Sequence, residues 1–268
     1  MNRCALLIPH FNNPAGLCAS LASIGTDEQI DVVIVDDGSV RRTIDEDAAR
    51  LAFKGRGELK FYYLPHNCGI EYALNTGLEA ILAAGYEYCA RLDCDDVVVP
   101  DRFAKQVKFL DANSSVYLLG SAVTFFDASG DRFTINQPLT HEAIVWQMHN
   151  DNAFTHPTVM FRMAGVREIG LYPTDCKAAE DFAYFWAFVA RYQTANLAEV
   201  LTKSEYNDSG ISMSRRRQQQ AMRIKILARY FDWKPKSAMN IAKASISAVL
   251  PVVVGRAIKR VLGVKKWN

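Results

Sequence analysis

Nowhere does this 268-residue chain run through the roughly 18 or more consecutive apolar residues that a membrane-spanning helix needs. The opening "MNRCALLIPHFNN" has only a short apolar stretch before Pro9 and His10, too brief for a signal peptide. The six cysteines (Cys4, Cys18, Cys68, Cys89, Cys94 and Cys176) form no CxxC pair and show no zinc-ligand spacing, so they are expected to be reduced thiols in a cytosolic protein. Internal repeats and low-complexity linkers are absent as well. Acid is scarce in one place. Residues 214–268 hold 14 Lys/Arg against 1 Asp/Glu, a net +13, whereas residues 1–213 hold 17 against 28, a net −11. An overall charge of +2 conceals this split, which predicts different partners for the two parts.

What is present begins with a 50% apolar composition, enough for a sizeable core in one large domain with an appendage. The boundary is expected near residue 213, with 214–268 as a basic helical extension. "RCALLIP" (3–9), "IDVVIVDDGS" (30–39), "LKFYYLP" (59–65) and "YEYCARLD" (86–93) read as buried strands. Between them lie "NPAGLCASLASI", with Asn13 as N-cap and Pro14 at the first helical position, and the helix-periodic "GIEYALNTGLEAILAAG". A further helix is expected to open at Pro100. Strand and helix alternating at this spacing predict βαβ units and an α/β fold with a mostly parallel sheet. The second half is less regular. It holds a hairpin turning near Ser129-Gly130, a short strand "HPTVMFR", an apolar helix "AEDFAYFWAFVARY" and a basic helix "MSRRRQQQAMRIKILARYF".

In such sheets ligands bind beyond the carboxyl ends of the strands. Asp36 and Asp37 close one strand; Asp93, Asp95 and Asp96 close another, so the two acidic groups are expected to share a cleft. Hard divalent cations take oxygen ligands, and Mg2+ or Mn2+ uses one or two carboxylates together with phosphate oxygens. A D-x-D loop suits that chemistry. The competing reading is that Asp93 to Asp96 merely cap the helix that follows. A third is a haloacid-dehalogenase-type phosphatase, whose nucleophile also sits in a D-x-D after an apolar strand. That motif normally closes the first strand of its domain, whereas three strands precede this one.

"LLIPHFNN", "VVIVDDGS", "HNCGIEYALNTGL", "RLDCDD" and "AEDF" occur in this order over about residues 3–213, and together they resemble a family 2 glycosyltransferase of the GT-A fold. The resemblance implies an inverting transferase that moves a sugar from a nucleotide diphosphate to an acceptor hydroxyl. It implies that Pro9, Asp36 and Asp37 hold the nucleotide base and ribose, that Asp93 supports ribose or pyrophosphate, and that Asp95, aided by Asp93, binds Mn2+ or Mg2+. It makes Asp181 the catalytic base with Glu180 beside it. "NDSGIS" (207–212), with Ser212, resembles a loop that closes over the diphosphate, although relatives often carry His where this chain has Asn207-Asp208. Gly69 and Asn75 match the helix-entry motif; their plain structural reading is a close backbone approach for Gly69 and an outer-face polar residue for Asn75. Uridine is the base that family habit favours.

The chemistry explains these groups. Charge grows on the leaving diphosphate, where a divalent ion acts as a Lewis acid. The acceptor hydroxyl needs a positioned base, worth roughly 10²–10⁴-fold. The helix N-terminus keeps Asp181 ionised, while Glu180 and the diphosphate are expected to push its pKa back up. His156 and Arg215–Arg217 are further candidates for phosphate or acceptor contacts, with a core histidine and a solvated or lipid-facing helix face as their plain readings. The basic, apolar segment from Lys236, ending beside Trp267, reads as an interfacial element on an anionic membrane surface, with a helix packing on the domain or in a dimer as its plain reading. It has almost no aromatics for base stacking, so nucleic acid is not an expected partner. A peripheral position on the inner face of the plasma membrane would suit a glycan or lipid-linked acceptor, as in bacterial surface-polysaccharide synthesis. A reading of another class is a catalytically inactive nucleotide-sugar-binding scaffold, whose mark would be a broken D-x-D or a missing base; both are intact.

Overall fold

Alternation within single strands builds two cores. In the computed structural model, which describes residues 2–206, 216–231, 233, 239, 241 and 242, Leu7, Val33 and Val35 point to one face of the sheet and Leu6, Ile8, Val32 and Ile34 to the other. Both sets are buried, as expected of strands covered on both sides.

The strands are β1 (Cys4–His10), β2 (Asp31–Asp36), β3 (Leu59–Tyr63), β4 (Tyr88–Arg91), β5 (Val97–Val98), β6 (Val116–Asp127), β7 (Gly130–Ile135), β8 (Met160–Arg162) and β9 (Gln193–Glu205). They form one sheet in the order β3-β2-β1-β4-β8-β6-β9-β5, with β7 paired to β6. The first four are mutually parallel, and β6 runs parallel to β9. Strand β8 enters antiparallel between β4 and β6, and β5 pairs antiparallel with β9. This mixed sheet flanked by helices is the α/β architecture that the motif order implied.

Helices α1 (Pro14–Ala22), α2 (Glu46–Ala52) and α4 (Arg102–Ala112) contribute to the core on one face. The other face carries α3 (Ile70–Ala83), α5 (His141–Met148), α6 (Met163–Ile169) and α7 (Glu180–Val189). Asn13 caps α1 by accepting from the Gly16 N–H, with Pro14 in the first turn. Helix α8 (Arg216–Arg229), which the charge split assigned to an extension, buries Ile226 and Leu227 in the same core as α7 and stacks Tyr230 on Trp186 at 4.9 Å.

Local expectations are corrected in three places. Helix α4 starts at Arg102 rather than Pro100; its N-cap Asp101 has φ +63° and makes no side-chain cap bond. "HPTVMFR" divides into a 3-10 turn (His156–Thr158) and the short β8, because Pro157 fixes φ and has no ladder donor. Asn75 does not sit idle on an outer face. It donates to the Tyr172 carbonyl at 2.9 Å and accepts from the Tyr172 N–H at 2.8 Å, tying α3 to the segment before α7. Among the described residues no helix is long and apolar enough to cross a membrane. The segment from Lys236 lies almost wholly outside the described residues.

Candidate active site

Strands β1, β2 and β4 are parallel neighbours, so their carboxyl ends open on one edge of the sheet. His10 and Asp36 are register partners at the ends of β1 and β2. Burial lowers the pKa of His10 despite Asp36, so the ring is neutral. Its Nε2 accepts from the Asn13 N–H at 3.1 Å, which leaves the proton on Nδ1, 3.7 Å from the Asp36 carboxylate. Asn13 in turn donates through Nδ2 to Asp95 at 2.9 Å. A continuous chain, Asp36–His10–Asn13–Asp95, thus joins the two acidic groups in one cleft. Cys94 Sγ contacts the Pro9 carbonyl at 3.3 Å, which places Pro9 against the same loop.

The five aspartates have different surroundings. Asp36 accepts from the Ser39 N–H at 2.8 Å. Asp37 is engaged by the loop entering α3: it accepts from Cys68 N–H at 2.7 Å, Gly69 N–H at 3.0 Å and Asn67 Nδ2 at 2.9 Å. Burial still pushes its pKa up, with Glu71 and Asp36 adding to that. Gly69 is needed there because its φ is +114° and a Cβ would lie 2.7 Å from the Glu71 carboxylate. Asp93 meets Nη1 of Arg91 at 2.5 Å. Asp95 adopts φ +76°, and its pKa rises to about 6 through burial and the negative charges of Glu205 and Asp93, against the Asn13 bond. Asp96 is a structural anchor. It accepts from Ser204 Oγ at 2.8 Å and from the Glu205 N–H at 3.1 Å, pinning the loop to the end of β9. None of the three caps α4, so the capping reading is not what the fold adopts.

Glu180 and Asp181 open α7. Asp181 accepts from Asn152 Nδ2 at 3.1 Å and from the Phe182 N–H at 2.7 Å. Its pKa is raised, first by burial and then by Asp93, with Phe182 and Arg91 opposing. The expected upward direction holds, but burial rather than Glu180 leads it. Glu180 rises to about 7 through burial and the Asp181 charge. Both carboxyls of this pair are thus pushed toward the protonated form, and the buried Oε2 of Glu180 has no hydrogen-bond partner among the protein groups.

Arg91 ends β4 fully buried, and its charge acts on both Asp93 and the α7 pair. Sequence reading passed over Arg91, Asn13, Asn152, Glu71 and Glu205. Only Arg91 carried a signal, as a cation heading an acidic motif. His156 is half-buried and engaged within the fold: desolvation and Arg91 push its pKa well down, and Nε2 lies 2.9 Å from the Tyr172 hydroxyl. Ser212, Asn207, Asp208 and Arg215 lie outside the described residues.

Oxygen donors with surplus negative charge around Asp95 fit a hard divalent cation. No three His, Cys, Asp or Glu side chains among the described residues close into a cage.

An α/β sheet with carboxylates gathered at the carboxyl ends of its parallel strands places its candidate site where open α/β folds bind their ligands. The sequence matches the family model "Glycosyl transferase family 2" over residues 5–170, and the chain belongs to that family. It is 31% identical over 173 residues to the amylovoran biosynthesis glycosyltransferase AmsE of Erwinia amylovora, covering 65% of this chain and 63% of that protein. It is 26% identical over 200 residues to the Escherichia coli UDP-Gal:alpha-D-GlcNAc-diphosphoundecaprenol beta-1,3-galactosyltransferase, covering 73% and 70% of the two chains. Among solved structures, S. aureus TarS 1-349 in complex with UDP-GlcNAc superposes with a TM-score of 0.66 at 18% identity, covering 89% of this chain and 69% of that one. The mannosyltransferase PcManGT from Pyrobaculum calidifontis, in complex with GDP-Man and Mn2+, gives 0.63 at 18% identity over 99% and 81%. These likenesses show the GT-A fold.

Proposed function

We propose that the protein is an inverting glycosyltransferase that moves a sugar from a nucleotide-diphosphate donor, UDP-linked in the first instance, to a hydroxyl of a glycan or lipid-linked acceptor. The observation that carries this reading is the joining of Asp36 to Asp95 through His10 and Asn13, on the sheet edge that the base-bearing helix α7 faces. Asp36 receives the nucleoside end of the donor, and Asp95 with Asp93 holds Mn2+ or Mg2+. When bound, that ion supplies Lewis-acid stabilisation of the leaving diphosphate. Asp37 contributes indirectly, by fixing the loop 67–69 on which the donor lies.

Asp181 accepts the proton of the acceptor hydroxyl as the hydroxyl oxygen attacks the anomeric carbon. Burial makes it a stronger base than a solvated aspartate, and the Asn152 amide orients it. Asp181 is the member of the pair oriented by directed donors, the Asn152 amide and the Phe182 N–H, which favour its ionised form. Attack from the face opposite the diphosphate inverts the anomeric configuration. The AmsE relative is named for amylovoran biosynthesis and the E. coli relative for a diphosphoundecaprenol acceptor, which supports a role in surface-polysaccharide assembly. The basic segment beyond α8 would hold the enzyme peripherally on an anionic membrane face.

Asp181→Asn is the test. It keeps shape and the Asn152 contact but cannot take a proton. Nucleotide affinity by calorimetry should stay within about twofold while transfer falls by roughly 10²-fold or more. Turnover at the wild-type rate removes Asp181 from the role.

A further inference from the structure

Arg91 has 1% of its surface exposed and lies at the end of β4, two residues before Asp93. Its backbone carbonyl is held by Arg102 Nη2 at 2.8 Å, so the main chain there is fixed. The guanidinium is another matter. Nε, Nη1 and Nη2 are all buried without an aligned hydrogen-bond acceptor, although Nη1 lies 2.5 Å from Asp93 Oδ1. The contact is a charge-assisted pairing through Nη1 alone rather than a two-nitrogen fork, and Nε and Nη2 are left without acceptors.

A buried charge lacking its hydrogen bonds is costly, and an apolar side chain of similar volume in its place is often neutral or stabilising. Packing therefore does not account for Arg91. Its surroundings account for it through charge. Asp93 touches it, and its charge is felt by Asp96, Glu180 and Asp181 as well. Arg102, the other buried arginine coupled to this group, spends its guanidinium on Gln106 and the Arg91 carbonyl, so Arg91 is the cation that meets Asp93, a donor-side ligand in the reading above.

We propose that Arg91 is a resident counter-cation that competes with the divalent ion for Asp93, and so keeps the metal–diphosphate complex weakly enough bound to leave after transfer. The inference rests on the glycosyltransfer reading and adds a positioning residue to it. Two cations sharing one carboxylate repel each other, and the fixed one cannot dissociate. The mobile one therefore binds less tightly than the carboxylates alone would hold it. Product release limits turnover in many enzymes, so loosening the product complex raises the rate.

The test is Mn2+ titration of the full chain, followed by the paramagnetic resonance of free Mn2+, with and without UDP. Arg91→Met removes the charge at similar volume, and Arg91→Lys keeps it. Arg91→Met should bind Mn2+ at least tenfold more tightly, show stronger product inhibition by UDP, and turn over more slowly. Arg91→Lys should stay within about threefold of wild type on all three. A purely structural arginine would weaken metal binding and activity together, so Mn2+ affinity that is unchanged or reduced in Arg91→Met overturns the proposal. Should Arg91→Met fail to fold, Arg91→Gln takes its place: Mn2+ binding at least tenfold tighter than wild type supports the proposal, and anything less overturns it. Absence of any Mn2+-dependent UDP binding by the wild type removes the glycosyltransfer reading along with this one, whereas failure in the variants alone removes only this one.

Discussion

The aspartates at the sheet edge and the acidic pair on α7 share a cleft but are treated in opposite ways. Asp37 and Asp96 are saturated by directed bonds: two backbone N–H groups and an amide for Asp37, a hydroxyl and a backbone N–H for Asp96. Glu180 is buried with an oxygen that no protein group satisfies, and Asp181 is half-buried, accepting from the Asn152 amide and the Phe182 N–H. Bonds to backbone N–H groups fix loops and stabilise the ionised carboxylate. Burial raises proton affinity on both sides of the cleft, at Asp37 and Asp96 against those bonds and at Glu180 with one oxygen left unpaired, which suits proton transfer near α7. Position and reactivity are assigned to different carboxylates.

The sharpest way to break this contrast is on the held side. Asp37→Ala leaves the N–H groups of Cys68 and Gly69 and the Asn67 amide without their acceptor, all in a partly buried loop. Unfolding in urea should show a loss of roughly 2–4 kcal/mol, with UDP affinity falling as the loop loosens. Stability within about 0.5 kcal/mol of wild type means that the loop is held by something else.

On the other side the expected change has the opposite sign. The folded-state pKa of Glu180, about 7, lies above its ordinary value of 4.5. Between those values the folded protein holds a proton that the unfolded chain has released. Stability therefore falls as pH rises through that window and levels off above it. Glu180→Gln removes the dependence. Without divalent ions, the variant should match wild type near pH 4.5 and exceed it by roughly 1–3 kcal/mol at pH 8. Parallel urea midpoints at both pH values mean that Glu180 is not strained by its burial.

The held side was readable in advance and the reactive side only in outline, for a physical reason. Apolar runs that end in acid mark parallel strands, and parallel strands bring their ends together. Asp36, Asp37 and Asp93–Asp96 thus followed from local pattern and one rule of topology. Asn152 reaches Asp181 across 29 positions and Asn75 reaches Tyr172 across 97, through the irregular half where no period sets the register. His156 looked available in the sequence, yet in the 3-10 turn at Pro157 it is engaged by Tyr172 within the fold. The same limit applies to charge. A composition split marks where charge changes but does not say what α8 packs on; Ile226, Leu227 and Tyr230 set it against the core that holds α7.

The smallest predicted effect concerns the residue that joins the two acidic groups. Asn13 does two separable things: its Oδ1 caps α1 by accepting from Gly16, and its Nδ2 donates to Asp95. Asn13→Ser keeps an N-cap of similar quality, because a serine oxygen reaches the same N–H, but is too short for Asp95 and has no amide. The lost bond was worth about 1 kcal/mol at most, since Asp95 is partly solvated and has a raised pKa that lets it protonate. Urea unfolding at pH 7 should therefore register a loss below about 1 kcal/mol, while Asn13→Ala, which removes the cap as well, loses about 1 kcal/mol more. If the two variants lose the same amount, the cap contributes nothing and the whole effect of Asn13 lies in its bond to Asp95. Asp95 would then belong with the held carboxylates, and the division drawn between the two sides of the cleft would have to move.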